Sequence, residues 1–405
     1  MRALLVGSGG REHALAWRLA SSPSLEQLHA APGSPGIAAL ATCHPVAADD
    51  GDGLLGLAHS LGAELVVVGP EAPLVAGVAD ELRHSGIPVF GPSAAAARIE
   101  GSKRFAKEVM AAAGVPTAAL LSSPRAPCVL KADGLAAGKG VVVCHTEADL
   151  RAGLALAEGF GGDVLVEELL EGPEVSVFAL CDGADAVVLA PARDFKRAYD
   201  GDAGPNTGGM GSFAPVPDLD AVTLDRIVEE AVEPVLTELA RRSAPFVGTL
   251  FAGLMLTPDG PRVLEYNCRF GDPETQSVLP LVEGDLLGAL AAAASGSLAG
   301  VTLARAEGAA VTVVLAAGGY PASGDRGTPI EGVAEAEAAG AHVFHAGTAL
   351  NDGRLVTNGG RLLGVTATGP TLSAARTRAY AASDLVRISG ARRREDIALA
   401  AVASG

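Results

Sequence analysis

Residues 2–17 read RALLVGSGGREHALAW, which is an apolar strand, a glycine turn and the start of a helix. The apolar runs ELVVVG (64–69) and IPVFG (87–91) continue the pattern, with the helical stretch PLVAGVADELRHSG (73–86) between them. Strands that are apolar on both faces and alternate with helices are typical of a parallel sheet covered on both sides. Residues 1–99 therefore predict an N-terminal α/β domain built on a parallel sheet.

The chain changes character after the helical stretch EGSKRFAKEVMAAAG (100–114). Short strands joined by short turns predict a small α+β unit with antiparallel pairs at about 117–182, including the strand EVSVFALC (174–181). A glycine-rich polar stretch (193–213) is too long for an ordinary connector, and a long amphipathic helix (219–242) follows it. From about residue 304 the composition becomes rich in strands. We predict three domains, with bounds 1–99, 100–303 and 304–405.

Composition limits the classes of function. The 405 residues include 47 acidic and 30 basic ones, a formal net charge of −17. Phosphate contacts in nucleic-acid binders need clustered Lys and Arg, so no nucleic-acid partner is expected. Five scattered cysteines without a C-x-x-C pair favour a reducing compartment. Without a signal-like or membrane-spanning run, we expect a cytoplasmic protein with no membrane partner.

The turn Gly7-Ser-Gly-Gly-Arg-Glu12 lies between a strand and a helix, where anions often bind. As a dinucleotide fingerprint it fails, because Glu12 stands where close helix–sheet packing requires glycine. A nucleotide-dependent oxidoreductase is therefore disfavoured. Two interpretations remain open, an anion site with Arg11 as partner and a simple tight turn.

The segment Gly134-Leu-Ala-Ala-Gly-Lys-Gly140 resembles a P-loop, but its glycines are one residue too close and no Ser or Thr follows Lys139. It joins two strands, so it predicts a hairpin whose N–H groups and Lys139 hold a polyphosphate together with Lys131. The chain has only five lysines, which suggests that a lysine is retained where a compact ammonium group is needed. Lys107 is the exception, which we expect on a solvated helix face.

The segment Val263-Leu-Glu-Tyr-Asn-Cys-Arg269 carries the clearest chemistry. A strand's period of two places Glu265, Asn267 and Arg269 on one face. Carboxylate and amide oxygens are hard ligands suited to Mg²⁺ that also bridges ATP phosphates, and Arg269 is suited to a carboxylate or phosphoryl group. No G-x-S-x-G elbow is present, so catalysis by a side-chain nucleophile has no support.

Motifs along nearly the whole chain resemble the phosphoribosylamine–glycine ligase (glycinamide ribonucleotide synthetase) family of the ATP-grasp superfamily. They include VGSGGREHALAW (6–17), VVGPEAPLVAG (67–77), KADGLAAGKGV (131–141), GPNTGGMGSFAP (204–215) and TNGGRLLGVTATG (357–369). RFGDPETQ (269–276) is similar to the family's own signature. The resemblance implies a Rossmann-like N-terminal domain, a central ATP-grasp domain with a small antiparallel lid, and a β-rich C-terminal domain.

The resemblance also implies a reaction in de novo purine synthesis. ATP, glycine and 5-phosphoribosylamine would give glycinamide ribonucleotide, ADP and phosphate through a glycyl phosphate, with Mg²⁺ or Mn²⁺ as the metal. No protein nucleophile is needed, so catalysis would depend on positioning and charge neutralisation. A monomer or homodimer is expected. The open alternatives are another ATP-grasp ligase or carboxylase and a catalytically inactive homologue, which the intact motif residues disfavour.

Roles follow from the resemblance position by position. The ATP site would comprise Lys103, Lys131, Gly138, Lys139, Gly140, Glu167, Glu168, Leu170 and Glu174, and the metal ligands would be Glu265 and Asn267. The phosphoribosylamine site would comprise Gly9, Gly10, Arg11, Pro32, Gly33, Pro70 and Glu71. The glycine and acyl-phosphate end would comprise Lys196, Asn206, Thr207, Gly208, Gly209, Met210 and Gly211. Catalytic roles would fall to Arg269, Lys139 and Asp194.

The chain departs from the family pattern at Arg193 and Phe195, where the family has Gln and His. Loss of the imidazole puts a proton-transfer role there in doubt, and the charge of Arg193 is one possible compensation. The strand LFAGLML before Glu265 carries no acid, so metal binding would depend on Glu265, Asn267 and the phosphates.

Overall fold

The computed structural model describes residues 1–135, 140–159 and 163–403. Its N-terminal domain is a five-stranded parallel sheet, order β3-β2-β1-β4-β5, as the apolar runs predicted. The elements are β1 (Arg2–Gly7), α1 (Gly10–Ala20), β2 (Gln27–Pro32), β3 (Thr42–Cys43), α2 (Gly51–Leu61), β4 (Leu65–Val68), α3 (Glu71–Ala76), α4 (Val78–His84), β5 (Val89–Phe90) and α5 (Ala94–Gly101). The strand order reverses between β1 and β4, and ligands of such sheets bind beyond the strand ends at that point.

The central region is built on a small and a large antiparallel sheet, with a two-stranded ribbon beside them. Its elements are α6 (Lys103–Ala113), β6 (Cys128–Ala132), β7 (Val141–Cys144), α7 (Glu147–Glu158), β8 (Val164–Glu168), β9 (Glu174–Asp182), β10 (Ala186–Val188), β11 (Arg193–Asp194), β12 (Arg197–Tyr199), β13 (Ala203–Asn206), β14 (Gly211–Ala214), α8 (Ala221–Ile227), α9 (Glu233–Arg241), β15 (Val247–Thr257), β16 (Gly260–Asn267), α10 (Glu274–Val278), β17 (Val282–Glu283) and α11 (Leu286–Ala294). The small sheet has the order β7-β6-β8, the large sheet has the order β10-β9-β15-β16, and the ribbon pairs β12 with β13. A π-helical turn (Val228–Val232) joins α8 to α9, which accounts for the predicted long helix.

Strand β9 belongs to the large sheet and not to the small α+β unit predicted at 117–182. It pairs with β15 from Glu174↔Met255 to Asp182↔Val247. Eight of its nine residues are buried, which requires apolar neighbours on both faces. The small sheet therefore ends with β8, and the connection from β8 to β9 is a link between the two sheets.

The C-terminal region supplies β18 (Ala304–Arg305), β19 (Ala309–Ala316), β20 (Asp325–Glu331), α12 (Val333–Ala338), β21 (His342–His345), β22 (Thr348–Asn351), β23 (Arg354–Gly359), β24 (Arg361–Gly369), α13 (Leu372–Ser383), β25 (Arg387–Ile388) and α14 (Leu399–Ala403). Its main sheet has the order β11-β14-β19-β24-β21. Two of these strands come from the glycine-rich stretch 193–213, since β14 pairs with β19 and β11 with β14. That stretch is thus part of the C-terminal sheet.

The three regions share their apolar cores. One continuous cluster of buried side chains includes Val6 of the N-terminal sheet, Leu250 of the large sheet and Val311 of the C-terminal sheet. Burial of such side chains stabilises each by about 1.5–3 kcal/mol relative to exposure. The regions are therefore packed against one another. No helix among the described residues is both long and apolar enough to cross a lipid bilayer.

Candidate active site

The glycine turn after β1 is filled by a side chain of the protein itself. Glu12 is 3% exposed, and its Oε2 accepts a hydrogen bond of 2.7 Å from the N–H of Gly9. A Cβ added at Gly7 or at Gly69 would lie 2.4 Å from atoms of Glu12, so both positions need glycine. Glu12 thus occupies the place that an anion takes at the start of α1. This explains physically why the turn does not match a dinucleotide fingerprint.

Beside Glu12 runs a line of alternating charges that we call the arginine chain, made of Arg11, Glu71, Arg269 and Glu100. Arg11 lies 3.7 Å and Arg269 3.2 Å from Oε2 of Glu71, and Arg269 lies 2.9 Å from Oε1 of Glu100. Burial opposes ionisation of Glu71, but the charges of Arg269 and Arg11 lower its pKa to about 2. The arginine chain therefore links the N-terminal domain to the strand end at Asn267.

The predicted phosphoribosylamine residues border the carboxyl edge of the parallel sheet. Pro32 ends β2, and the N–H of Gly33 donates to the carbonyl of Gly7 at 3.2 Å. Pro70 and Glu71 begin α3 directly after β4. These residues therefore flank β1 from both sides, at the point where the strand order reverses.

The lysines predicted to meet ATP phosphates come from α6 and β6. The ammonium group of Lys131 donates to the Leu264 carbonyl at 2.7 Å and lies 2.8 Å from Glu167. Lys103 donates to the Gly134 carbonyl at 2.9 Å, and desolvation lowers the pKa of Lys103. Both lysines thus lie between the small sheet and β16.

The expectation for Lys107 is wrong. Its side chain is 6% exposed, where a solvated helix face was predicted. It lies 3.1 Å from Glu167 and donates to Thr117 Oγ1 and to the Ala118 carbonyl at 2.8 and 2.7 Å. Glu167, itself 2% exposed, is therefore held between two lysines, and its carboxylate faces them.

The remaining predicted adenosine residues lie between the end of β8 and the start of β9. Glu168 accepts from the Ala119 N–H at 2.8 Å and lies 3.3 Å from Arg262, and Leu170 stands in the link to β9. Glu174, at the start of β9, lies 2.5 Å from Lys196. The strand ends on either side of the link thus carry two carboxylates, Glu168 facing β16 and Glu174 facing the glycine-rich stretch.

The hairpin of the small sheet is described only at its base. Gly138 and Lys139 lie outside the described residues. Gly140, at the start of the returning strand, accepts from the Ala132 N–H at 2.8 Å. Asn206 donates from Nδ2 to the Val141 carbonyl at 3.3 Å. The base of the hairpin therefore contacts the glycine-rich stretch on one side and Lys103 on the other.

Four carboxyl groups surround one lysine in what we call the acid cluster, made of Glu174, Asp194, Glu265, Glu274 and Lys196. Desolvation, together with the charges of Glu274 and Glu174, raises the pKa of Asp194 to about 8, although Lys196 opposes the shift. Desolvation also raises the pKa of Glu274, which accepts from Ser176 at 3.3 Å.

Glu265 behaves differently within the acid cluster. Although desolvation opposes ionisation, the charges of Lys196, Lys131 and Lys103 lower the pKa of Glu265. Glu265 is therefore the member best held as a carboxylate, two residues from the amide of Asn267. The Asn267 Oδ1 accepts from Arg269 at 3.2 Å and keeps a second lone pair.

This donor set fits a divalent cation that also takes ligands from a nucleotide. Among the described residues there is no group of three or more His, Cys, Asp or Glu side chains that could hold a metal by itself. A carboxylate and an amide oxygen leave several positions for phosphate oxygens and water, which is how Mg²⁺ is usually held beside nucleotides. The expectation of a two-ligand site completed by phosphates is thus chemically consistent.

The two departures from the family pattern have structural roles. Arg193 donates to the Glu174 carbonyl at 2.7 Å and lies 2.9 Å from Asp218, so its charge is already paired. The ring of Phe195 packs against Phe213, with the Arg394 guanidinium 5.0 Å from its centre. Phe195 therefore joins the glycine-rich stretch to the C-terminal segment.

The predicted loop 206–211 is fixed by internal and external hydrogen bonds. Thr207 Oγ1 donates to the Lys196 carbonyl at 2.7 Å and accepts from the Gly209 N–H at 3.0 Å. Met210 is fully buried, and Gly211 begins β14. The N–H of Gly208 donates to the Tyr320 hydroxyl. The loop thus presents backbone groups beside Lys196.

Sequence reasoning missed four residues that contact the site, namely Glu100, Glu274, Tyr320 and Arg361. Glu274 and Arg361 stand inside the quoted motifs 269–276 and 357–369, so a signal was present for them. Glu100 and Tyr320 also stand inside stretches that resemble the family, EGSKRFAKE (100–108) and VVLAAGGYP (313–321), but their partners were not recognisable, because the contacts join residues 112 or more positions apart.

Comparisons with known proteins agree with this architecture. Three family descriptions match in order: the N domain (1–100), the ATP-grasp (A) domain (101–275) and the C domain (310–400) of phosphoribosylglycinamide synthetase. Phosphoribosylamine–glycine ligase of Streptomyces coelicolor is 52% identical over 98% of this chain and 99% of its own length. That of Mesorhizobium japonicum is 49% identical over 100% and 99%.

Solved structures give the same result. The crystal structure of phosphoribosylamine–glycine ligase from Thermotoga maritima superposes with a TM-score of 0.84 at 36% identity, covering 98% of this chain and 100% of that one. The biotin carboxylase domain of the Hydrogenobacter thermophilus 2-oxoglutarate carboxylase shares the fold alone, with a TM-score of 0.71 at 19% identity over 96% and 91%. The fold and the site thus define an ATP-grasp ligase. More specifically, the chain belongs to the phosphoribosylglycinamide synthetase family.

Proposed function

We propose that this protein joins glycine to 5-phosphoribosylamine, with ATP converted to ADP and phosphate and glycinamide ribonucleotide as the product. The single observation that carries the proposal is the strand end at Glu265 and Asn267. It faces three lysines that can neutralise a triphosphate, and the arginine chain connects it to the N-terminal sheet edge. No nucleophilic side chain is required, because phosphoryl transfer depends on positioning and charge neutralisation.

In the first step a carboxylate oxygen of glycine attacks the γ-phosphorus of ATP, and the bond to the ADP oxygen breaks. Lys103 and Lys131, with the lid hairpin at Lys139, hold the phosphates, while the link at Glu167, Glu168 and Leu170 holds the adenosine. Arg269 and Lys196 face the transferring group. Glu265 and Asn267 would hold Mg²⁺ or Mn²⁺, which supplies charge neutralisation at the phosphate oxygens.

In the second step the amine of phosphoribosylamine attacks the carbonyl carbon of glycyl phosphate. The C–O bond to phosphate breaks, an amide bond forms, and the amine loses one proton. We assign the acceptor role to Asp194 in its ionised form; since its pKa is raised to about 8, that form increases as pH rises towards 8, and the rate of this step should rise with it. Gly9, Gly10, Arg11, Pro32, Gly33, Pro70 and Glu71 hold the phosphoribosylamine.

The experiment that tests the proposal compares purified protein with the variant Glu265→Gln. The wild type is expected to release ADP only when both glycine and phosphoribosylamine are present, with one amide product per ADP. The variant keeps the size of the side chain and loses the charge, so ligation should fall by about 10³-fold or more. Arg226→Gln is the matched control on an exposed ion pair and should retain full activity. The proposal would be contradicted if the wild type released ADP when glycine or phosphoribosylamine was left out.

We also propose that the enzyme works in the cytoplasm as a monomer or homodimer. The support for the cytoplasm is that all five cysteines are free, as expected in a reducing compartment. Sedimentation of the purified protein with and without Mg-ADP would measure the state of association. A larger assembly would contradict this part.

A further inference from the structure

Arg361 lies at the start of β24 and joins three segments through one guanidinium group. Its Nη1 donates to the carbonyls of Gly208 and Asp272, the latter at 2.7 Å. Its Nη2 lies 2.9 Å from Oδ2 of Asp272. The side chain is 20% exposed, so the contact is largely enclosed. Arginine is suited to such a place, because its planar fork donates in several fixed directions at once.

Tyr320 completes the contact from the same region. Its hydroxyl accepts a hydrogen bond of 2.8 Å from the N–H of Gly208. Its ring packs against Gly360, where an added Cβ would lie 2.4 Å from the ring. Both backbone groups of Gly208 are therefore held by side chains of the C-terminal region, the N–H by Tyr320 and the carbonyl by Arg361. We call Arg361 and Tyr320 the C-terminal clamp.

The C-terminal clamp lies between the residues assigned to glycine and those assigned to phosphoribosylamine. Gly208 belongs to the loop 206–211, assigned above to the glycine end. Asp272 belongs to the turn after Arg269, and a Cβ added at Gly10 would lie 3.8 Å from its Oδ1 and 2.9 Å from the amide of Gln276. Gly10 is on the phosphoribosylamine side. The C-terminal clamp thus connects loop 206–211 to the turn at Asp272, which packs against Gly10 on the phosphoribosylamine side.

We infer that Arg361 and Tyr320 are positioning residues that fix loop 206–211 against the 271–273 turn, so that the acyl donor and the amine acceptor meet. This inference rests on the proposed function. Neither residue touches the reacting atoms. Their effect is on the second step, because a displacement of about 1 Å in such a donor–acceptor pair lowers the rate by roughly 10²-fold.

A loosened clamp has a distinctive chemical result. Glycyl phosphate still forms in the first step, but the amine meets its carbonyl carbon less often. Water then attacks that carbon, the C–O bond to phosphate breaks, and glycine and phosphate are released. ATP is consumed without amide formation, so the ratio of ADP to glycinamide ribonucleotide rises above one.

The test uses Arg361→Lys and Tyr320→Phe in the full chain. Lysine keeps the charge but cannot hold the Gly208 carbonyl and the Asp272 carboxylate together. Phenylalanine keeps the ring on Gly360 and loses the acceptor for the Gly208 N–H. Both variants are expected to lower the ligation kcat about tenfold, because each removes a hydrogen bond that holds Gly208, while the KM for ATP stays unchanged. Both should raise the ratio of ADP to product.

Arg378→Lys is the matched control, since Arg378 is exposed and, among the described residues, donates to the Thr368 carbonyl alone. It should leave kcat and the coupling ratio unchanged. A ratio of ADP to product of one in both clamp variants would overturn the inference even if kcat falls. Such a result would mean that the fall in kcat comes from a general structural defect, because no intermediate is released to water. If the wild type forms no glycinamide ribonucleotide, the proposed function fails before the clamp is addressed.

Discussion

The arginine chain and the acid cluster lie side by side and differ in how their carboxyl groups are paired with positive charge. In the arginine chain every carboxylate touches a guanidinium, and the pKa of Glu71 falls to about 2, although burial still raises the pKa of Glu100 against the charge of Arg269. In the acid cluster four carboxyl groups share Lys196, and the pKa of Asp194 rises to about 8. The difference shows that one region is neutralised by the protein itself. The other lacks positive charge, which protonation or a divalent cation must supply.

The largest expected effect comes from breaking the arginine chain. Arg269→Met removes the partner of Glu100, which is 9% exposed in its side chain, and of Glu71. An uncompensated buried carboxylate costs about 3–5 kcal/mol, so the urea midpoint should fall strongly. Glu100→Gln added to this variant should recover part of the loss. An unchanged midpoint in Arg269→Met would mean that the chain of charges contributes nothing to stability.

A second prediction concerns the positive charge missing from the acid cluster. Saturating Mg-ADP should stabilise the wild type by about 2.7 kcal/mol at a hundredfold excess over its dissociation constant. Glu265→Gln should lose most of this stabilisation, because its carboxylate is the best-ionised ligand. Glu71→Gln, in the neutralised region, should retain it. Thermal unfolding with and without Mg-ADP measures both, and equal shifts in the two variants would remove the distinction between the regions.

A third prediction follows from the raised pKa of Asp194. Between its ordinary value near 4 and about 8, the folded protein holds a proton that the unfolded chain has released. The contribution of Asp194 to stability therefore falls as pH rises through that range. Asp194→Asn removes this loss, so its advantage in thermal midpoint over the wild type should grow from pH 4 to pH 8. Without such growth, Asp194 is ionised in the free protein.

The last prediction concerns a neutral contact that serves as a reference for both charged regions. His13 accepts a hydrogen bond of 2.8 Å from the His345 N–H, and burial with the nearby His345 lowers the pKa of His13 to about 3. Stability from this group is complete above pH 6.5 and is lost as pH falls towards 3. His13→Asn keeps an acceptor and should weaken the acid-side fall of the thermal midpoint. A steeper fall in the variant would contradict this.

The local sequence predicted those elements that do not depend on one particular partner elsewhere in the chain. The all-valine centre of β4 and the glycine turn after β1 define a parallel sheet wherever they pack, and the paired positions of Glu265 and Asn267 follow from strand periodicity alone. Strand β14 was missed because its four residues follow a glycine-rich loop and become a strand only by pairing with β19, about a hundred positions later. Lys107 was misplaced for a similar reason, since its partner Glu167 is distant in sequence.

For the candidate site, the sequence indicated candidate ligands, which stay a prediction, but it did not indicate which charges neutralise them. Glu12 was recognised as the residue that breaks the dinucleotide pattern, but only packing reveals that its carboxylate fills the turn. Arg193 was considered a replacement for a lost imidazole, whereas its contacts with Asp218 and the Glu174 carbonyl are visible only in three dimensions. Which charge meets which is set by the tertiary fold.

The pairing of β14 with β19 has a consequence for producing the protein as two fragments. A cut after residue 303 leaves β14 on one polypeptide and its partner β19 on the other, and it also separates β17 from β18. Each half made alone would expose an unsatisfied strand, which invites aggregation. Produced together in one cell, the halves have complementary edges, so this enzyme is suited to a split reporter whose activity returns only on reassembly.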